Sequence, residues 1–374
     1  MIVQFKKHYC IIIEMTYLVN FDTHYETLYS KKLFWDIMSS NKILNNCRLY
    51  CYTKYPEKQL FFSLVDYRNS YFSNNDPDKI IEFYNGFDNR EQLINWMCER
   101  PKGYSNIHEI EGDTDIVIVI PTADFNGKFA IDCRESIFKG LHIIFVESGG
   151  REDFYFNYAY NCNVGIRKAM EYNPKWVVLS SDDMVKIDDV NVLHEELLRL
   201  DPKKYDVVFT KPSRYHSSPE KISEPNILYY IYMIFKHDYG RYIIKIHKKF
   251  GVRYLMSPVS GMLSRPFKKG HQYLEIQDFG IYSSVWISGL DSLVYDETFI
   301  NAAEDTDLSL RISLGNLRIK IIDYTIGDLI GATLGTGIQR RLRTISSRIY
   351  LNWKWNKEIE QKEMNRFNFG DMIE

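Results

Sequence analysis

Two stretches of the chain carry carboxylates that plain secondary structure does not require. The first is WVVLSSDDMVKIDDV, Trp176 to Val190, where an apolar run passes straight into Ser181, Asp182 and Asp183. Aspartate and serine after a strand are common helix N-caps. Asp188 and Asp189 stand nearer the next helix and fill that role, which leaves the SSDD group surplus to capping. The second stretch is YDETFINAAEDTDLSLRISLG, Tyr295 to Gly315. Here acids in a first helical turn favour the macrodipole, Asp307 and Arg311 form an ordinary i,i+4 pair, and Gly315 closes the helix. That account explains Asp307 without needing Glu304 and Asp305. Two such clusters fit a division of labour. One holds a divalent cation on phosphate oxygens; the other takes a proton from an attacking hydroxyl.

The elements that would position these acids are legible from residue 115 onward. DIVIVIPT, LHIIFVES and KWVVLSSDD are continuous apolar runs, the pattern of strands buried on both faces, and YDVVFTK follows as a fourth. Between them KFAIDCRESIFKG, FNYAYNCNVGIRKAMEYN and DDVNVLHEELLRLD read as helices. The β-α-β-α-β-α-β order predicts an α/β fold with a parallel, doubly wound sheet. In such sheets ligands bind beyond the carboxyl ends of the strands. Thr122, Glu147 and the Ser181–Asp183 group end the first three strands and are expected on one edge.

Residues 1–110 form a separate N-terminal extension in this reading, mixed α/β and without a chemical motif. QLFFSLVDY reads as a strand and DKIIEFYNGFDNREQLINWMCER as one or two helices. ERPKGYSNIHEIEGDTD reads as a linker, residues 111–335 as the catalytic-type domain, and 336–374 as a basic helix and tail.

Over residues 115–335 the ordered motifs resemble the GT-A glycosyltransferases, closest to glycosyltransferase family 2. IVIVIPTADFNGK is similar to that family's opening strand and turn, and NCNVGIRKA to its N-x-G-x-x-x-A helix. VVLSSDDM sits where the family has its D-x-D metal motif, and SGMLSR resembles its acceptor segment. YDETFINAAEDTDLSLRI resembles F-D-E-x-F…E-D-x-D-L-x-x-R.

The resemblance implies a Rossmann-like GT-A fold with a mostly parallel sheet that binds a nucleotide sugar. Thr122 and Ala123 would line the nucleotide pocket, Glu147 would read the nucleobase, commonly uracil, and Asn163 and Arg167 would flank the donor. Asp183 and Asp182 would contact a Mn²⁺ or Mg²⁺ ion on the donor diphosphate, with Asp328 as a further ligand. Asp305 would be the catalytic base with Glu304 beside it, and Arg311 would hold their helix. The implied activity is inverting transfer of a sugar, hexosyltransferase-like, from a UDP-sugar to a glycan, protein or lipid-linked hydroxyl.

The chain departs from the family at three places. Ser181 replaces the first acid of the metal motif, Glu147 replaces the usual Asp, and IDYTIGDLIGATLG lacks the family's metal-binding His.

Composition narrows the classes further. A net charge of −2 gives no basic field for nucleic acid, and no nucleic-acid partner is expected. Cysteines at 10, 47, 51, 98, 133 and 162 form no CxxC pair, so zinc-ligand spacing is absent. Reduced thiols in a cytoplasmic protein are the expectation. No run reaches the roughly 18 apolar residues of a membrane span.

Residues 337–357, GIQRRLRTISSRIYLNWKWNK, are basic and amphipathic, with Ile338, Leu342, Ile345, Ile349 and Trp353 on one stripe. They read either as a helix lying on an anionic membrane or as one packed on the domain. NILYYIYMIFKHDYGRYIIKIHKKFG mixes aromatics and bases likewise, and reads as shaping the acceptor site, touching lipid or packing in the core. The loop KPSRYHSSPEKISEPN reads as a surface loop or a lid, and His216 and His271 as structural. Nucleotidyl transfer is disfavoured because PTADFNGK has a single Gly and a single Lys. A degenerate GT-A domain that only binds sugar or nucleotide is the alternative to the enzyme.

Overall fold

A computed structural model describes residues 2–5, 8–12, 49–52, 60–62, 76–149, 153, 155–212, 217–221, 227–236, 240–252, 272–315, 317–329 and 338–361. The SGMLSR segment, His216 and His271 lie outside the described residues. The chain divides into two compact units, Met1–Ser73 and Asn74–Glu374.

In the first unit, β1 (Ile2–Phe5), β2 (His8–Ile12), β3 (Leu49–Tyr52) and β4 (Leu60–Phe62) form an antiparallel sheet in chain order. The strand expected in QLFFSLVDY is β4.

The second unit starts at Asn74, not at residue 111. Its first elements are α1 (Pro77–Asn85), α2 (Arg90–Glu99) and β5 (Asn106–Ile110). They join this unit because their apolar faces are buried in it. Tyr84 donates to the Leu342 carbonyl at 2.7 Å, and β5 pairs with a strand of the central sheet. The stretch read as a linker therefore contains a sheet strand.

The chain continues through β6 (Asp113–Thr122), α3 (Lys128–Asp132, followed by a wider turn over Cys133–Ile137), β7 (Leu141–Glu147), α4 (Tyr158–Met170) and β8 (Trp176–Ser180). After these come β9 (Met184–Lys186), α5 (Val190–Leu198), β10 (Val207–Phe209), β11 (Ser217–Lys221), α6 (Ile227–Lys236) and α7 (Gly240–Phe250). The last elements are β12 (Gln272–Ile276), β13 (Phe279–Ser283), α8 (Ser284–Ser288), α9 (Glu304–Leu314), β14 (Ile319–Ile321), β15 (Ile326–Asp328) and α10 (Ile338–Gln361).

Seven strands form the central sheet in the order β14-β10-β13-β8-β6-β7-β5. β6 runs parallel to β7 on one side and to β8 on the other. The sheet, expected to be mostly parallel, is mixed, with β10–β14, β6–β7 and β6–β8 as its parallel pairs. β13 enters antiparallel between β8 and β10, and β5 closes the other edge antiparallel to β7.

Alternate residues of β6 feed two cores. Ile116, Ile118 and Ile120 pack with Ala130, Cys133, Leu193 and Leu197, which come from α3, its following turn and α5. Val117 and Val119 pack with Cys162 and Ile166 of α4 and with Leu308 and Ile312 of α9. Burying each such Val, Ile or Leu side chain contributes about 1.5–3 kcal/mol. Gly165 lets α4 sit close: a Cβ there would come within 2.3 Å of Val119 Cγ1 and 2.8 Å of Val146 Cγ2.

The basic helix α10 packs on this unit. Leu342, Ile345, Ile349 and Trp355 are buried, and the Ser347 hydroxyl accepts from the Ile300 N–H at 3.0 Å. Its apolar stripe is thus covered by protein rather than offered to lipid; only Trp353 of the stripe is exposed among its described side chains.

Candidate functional site

Thr122, Glu147 and Asp182 meet at one edge because β6, β7 and β8 are parallel neighbours. Thr122 is in register with Glu147, and β8 ends at Ser180, just before the acids. β7 and β8 flank β6 on opposite sides, so the crossovers diverge at β6. Such a switch point opens a crevice at the carboxyl ends of the strands.

Asp182 and Asp183 are both buried just past the end of β8. Asp182 Oδ2 accepts from the Thr122 hydroxyl at 2.7 Å, and its carbonyl accepts from Cys133 Sγ at 3.3 Å. Asp183 Oδ1 accepts from the Ser181 hydroxyl at 2.8 Å. Neither acid caps a helix. That role belongs to Asp189, which accepts from the Asn191 N–H at 3.0 Å, while Asp188 accepts from the Thr325 N–H at 2.7 Å. Ser181 therefore serves as a hydroxyl support for Asp183.

Asp328 is buried, and its backbone runs next to this group. β15 pairs antiparallel with β9, placing Asp328 opposite Met184, and the Leu329 N–H donates to the Asp183 carbonyl at 3.0 Å. Among the described residues no three His, Cys, Asp or Glu side chains form a metal-holding group. The donors present are hard carboxylate oxygens. They fit a Mg²⁺-type ion held by one or two carboxylates, with phosphate and water completing its shell, rather than an all-protein cage.

Glu147 is turned toward its own neighbours. It accepts from the Phe125 N–H at 2.9 Å and pairs with His108 Nε2 of β5 at 2.9 Å. The Phe125 N–H first, then the His108 contact, hold its carboxyl below the usual range against the opposing effect of burial. The His108 ring stacks on Phe125 with centroids 4.1 Å apart, and the Arg134 guanidinium lies 4.7 Å from the Phe125 centroid. Glu147 thus anchors the turn after β6, the turn that carries exposed Ala123.

The second acidic group is carried by α9. Glu304 is buried and Asp305 partly so. Asp305 Oδ1 accepts from the Thr306 N–H at 2.6 Å, and the Thr306 hydroxyl donates to Glu275 Oε1 at 2.7 Å. The turn into α9 is sharp: Asn301 and Ala303 have φ of 54° and 66°, a left-handed backbone that costs a non-glycine residue. Asp307 is the structural acid. It binds Trp355 Nε1 at 2.8 Å and Lys354 Nζ at 2.8 Å, and its Oδ2 lies 3.2 Å from Arg311 Nε.

Asn163 and Arg167 are not brought to the sheet edge. Asn163 is fully buried; its amide donates to the Tyr295 carbonyl at 2.8 Å and Glu297 Oε1 at 3.0 Å, and accepts from the Tyr295 N–H at 3.0 Å. Arg167 lies 3.8 Å from the same Glu297 carboxylate. Both residues fix the segment that leads into α9.

Two residues not singled out from the sequence belong to this site. Asn157 caps α4 by accepting from the Tyr160 N–H at 2.8 Å. The same side chain donates to the carbonyls of Glu297 and Phe299 at 2.8 and 3.1 Å. Its cap-position spacing before a helix was a usable signal; its second role was not. Asp278 precedes β13, and its carbonyl accepts from the Ser181 N–H at 3.0 Å. Burial above all, then Cys162, Asp278 and Glu304, pushes the Tyr158 hydroxyl well above its ordinary value. Asp278 thus supports the first acidic group through its backbone.

No family model matches the chain, and no curated protein or solved structure matches it. No helix among the described residues is long and apolar enough to cross a membrane.

Proposed function

We propose that the chain is an inverting, metal-dependent glycosyltransferase of the GT-A fold, moving a sugar from a nucleotide sugar, UDP-linked first, to an acceptor hydroxyl. The observation that carries this reading is the buried Asp182–Asp183 pair just past the end of β8, at the switch point of the parallel strands. Asp183, with Asp328 beside it, would hold Mn²⁺ or Mg²⁺, which supplies charge neutralisation on the departing diphosphate. Asp182, fixed by Thr122, keeps negative charge at the same point. Asp305 accepts the proton of the attacking hydroxyl, and buried Glu304 orients beside it. The site is read as working at the cytoplasmic side of the cell, with a glycan, protein or lipid-linked acceptor.

A GT-A domain that binds sugar or nucleotide without turnover is the second reading. It is favoured by one observation: Asp305 is engaged by the Thr306 N–H at 2.6 Å rather than open.

Release of nucleoside diphosphate from a panel of nucleotide sugars, with Mn²⁺, Mg²⁺ or chelator, separates the two. Turnover with one donor, lost on chelation and in Asp183→Asn and Asp305→Asn, supports the enzyme. Turnover indifferent to chelator removes the cation role of Asp183. Nucleotide binding without turnover, also in the presence of lipid-linked acceptors, selects the binding module.

A further inference from the structure

The hairpin of α6 and α7 exposes two stripes of opposite character. On α6, Ile231, Ile234 and Phe235 are 42, 41 and 86% exposed. Their i, i+3, i+4 spacing places them on one helix face, so they form a contiguous apolar patch. Single exposed apolar residues are ordinary; three on one face, ending in a nearly bare phenylalanine, are not.

On α7, Arg241, Lys245 and Lys248 are exposed, at i, i+4, i+7 spacing. The opposite face of α7 is the one that packs inward, through Ile243, Ile246, His247 and Phe250. Lys236 ends α6 with its ammonium 5.2 Å from the Tyr232 ring centroid. The sequence of the hairpin, residues 227–250, contains Lys236, Arg241, Lys245, Lys248 and Lys249 against a single acid, Asp238. Lys249 is engaged internally, donating to the Tyr84 carbonyl at 3.3 Å. Arg241, Lys245 and Lys248 are exposed to an external partner.

We propose that the α6–α7 hairpin docks the protein on an anionic lipid surface. Ile231, Ile234 and Phe235 enter the headgroup–acyl boundary, and Arg241, Lys245 and Lys248 pair with lipid phosphates. An apolar stripe alone fits many occupants. The cationic stripe on the next helix selects a negatively charged one. A membrane supplies both an apolar layer and dense negative charge, whereas a nucleic acid offers no apolar layer for Phe235. This surface differs from the basic helix α10, whose apolar stripe is buried. It does not rest on the glycosyltransferase reading, since lipid binding needs no donor, acceptor or cation.

The test is co-sedimentation of the full chain with sucrose-loaded vesicles. One set is phosphatidylcholine alone; the other contains about one-third phosphatidylglycerol. The protein is expected to pellet with the anionic vesicles only, and to be released by high salt. The triple variant Arg241→Glu/Lys245→Glu/Lys248→Glu should lower partitioning on the order of 100-fold or more. Ile231→Ser/Phe235→Ser should lower it at least about tenfold. Both variants replace exposed side chains, and unchanged melting curves confirm that they fold.

Wild type that stays in the supernatant with anionic vesicles overturns the proposal. So does an Ile231→Ser/Phe235→Ser variant that binds as well as wild type. A wild-type dimer in sedimentation equilibrium that this variant dissociates, without vesicle binding, assigns the patch to a second copy of the chain and also overturns it.

Discussion

The Thr122 hydroxyl donates a 2.7 Å hydrogen bond to Asp182 Oδ2, joining the ends of β6 and β8 across the crevice where the crossovers diverge. The bond holds a buried carboxylate in one orientation without neutralising it. A site that must present charge to a ligand gains from that arrangement, because the hydrogen bond fixes where the carboxylate points.

Thr122→Val keeps the shape and removes the donor. Removing the Thr122 donor to the buried Asp182 carboxylate is expected to cost about 1–3 kcal/mol. Urea midpoints measure it, and Thr122→Ser should recover most of the loss. Equal midpoints for Val and wild type would show that the bond contributes nothing.

Asn157→Asp retains the cap on α4 but sets a carboxylate against the carbonyls of Glu297 and Phe299. Two donors are lost and a repulsive contact replaces them, so stability should fall by about 3 kcal/mol. Under the proposed function, activity should fall as well, because the segment leading to Glu304 and Asp305 is released. A variant as stable and active as wild type would remove Asn157 from this role.

Acid should loosen α10. Burial raises Asp296, but the charge of Lys354 and its 2.7 Å hydrogen bond hold the carboxyl below its ordinary value on balance. A depressed folded pKa means that the contribution is full above the unfolded value of about 4 and fades as pH falls through the folded one. Urea midpoints of wild type should therefore drop between neutral pH and about pH 3 more steeply than those of Asp296→Asn. Parallel pH curves would count against the pair.

Gly165→Ala forces a methyl within 2.3 Å of Val119 Cγ1. Overpacking of this kind costs about 1–3 kcal/mol. The helix must then lift from the sheet, which a melting curve detects.

Ala303→Gly should do the reverse. Glycine adopts the left-handed turn at φ 66° without the side-chain penalty. After its larger unfolded-state entropy is subtracted, a net gain of up to about 1 kcal/mol is expected. A lower melting temperature would mean that the turn is not strained.

The strands β6, β7 and β8 were legible because buried parallel strands are written as uninterrupted apolar runs, such as IVIVI and VVL. The edge position of Thr122, Glu147 and Asp182–Asp183 followed from that pattern alone. β5 was missed because NIHEI alternates polar and apolar residues inside a polar stretch, and its strand identity comes from pairing with β7. β13 was missed because FGIYS is short and contains Gly280, and its place in the sheet is set by distant neighbours. The helix α10 was visible as amphipathic, yet its stripe carries no mark of what covers it. The Asp307–Arg311 pair was legible, since an i,i+4 partner is visible in sequence. The internal use of Asn163 was not, because an amide bound to backbone groups leaves no partner residue to read.

The insertion of β13 between β8 and β10 also governs how the molecule is born. Ser180 of β8 pairs with Phe279, so one edge of β8 stays unsatisfied until far downstream residues emerge from the ribosome. At ordinary synthesis rates that interval is on the order of ten seconds. During it, an apolar strand with open hydrogen-bonding groups faces the cell. The nascent chain is therefore a natural client for chaperones, and slowing its translation would lengthen the period in which it can aggregate.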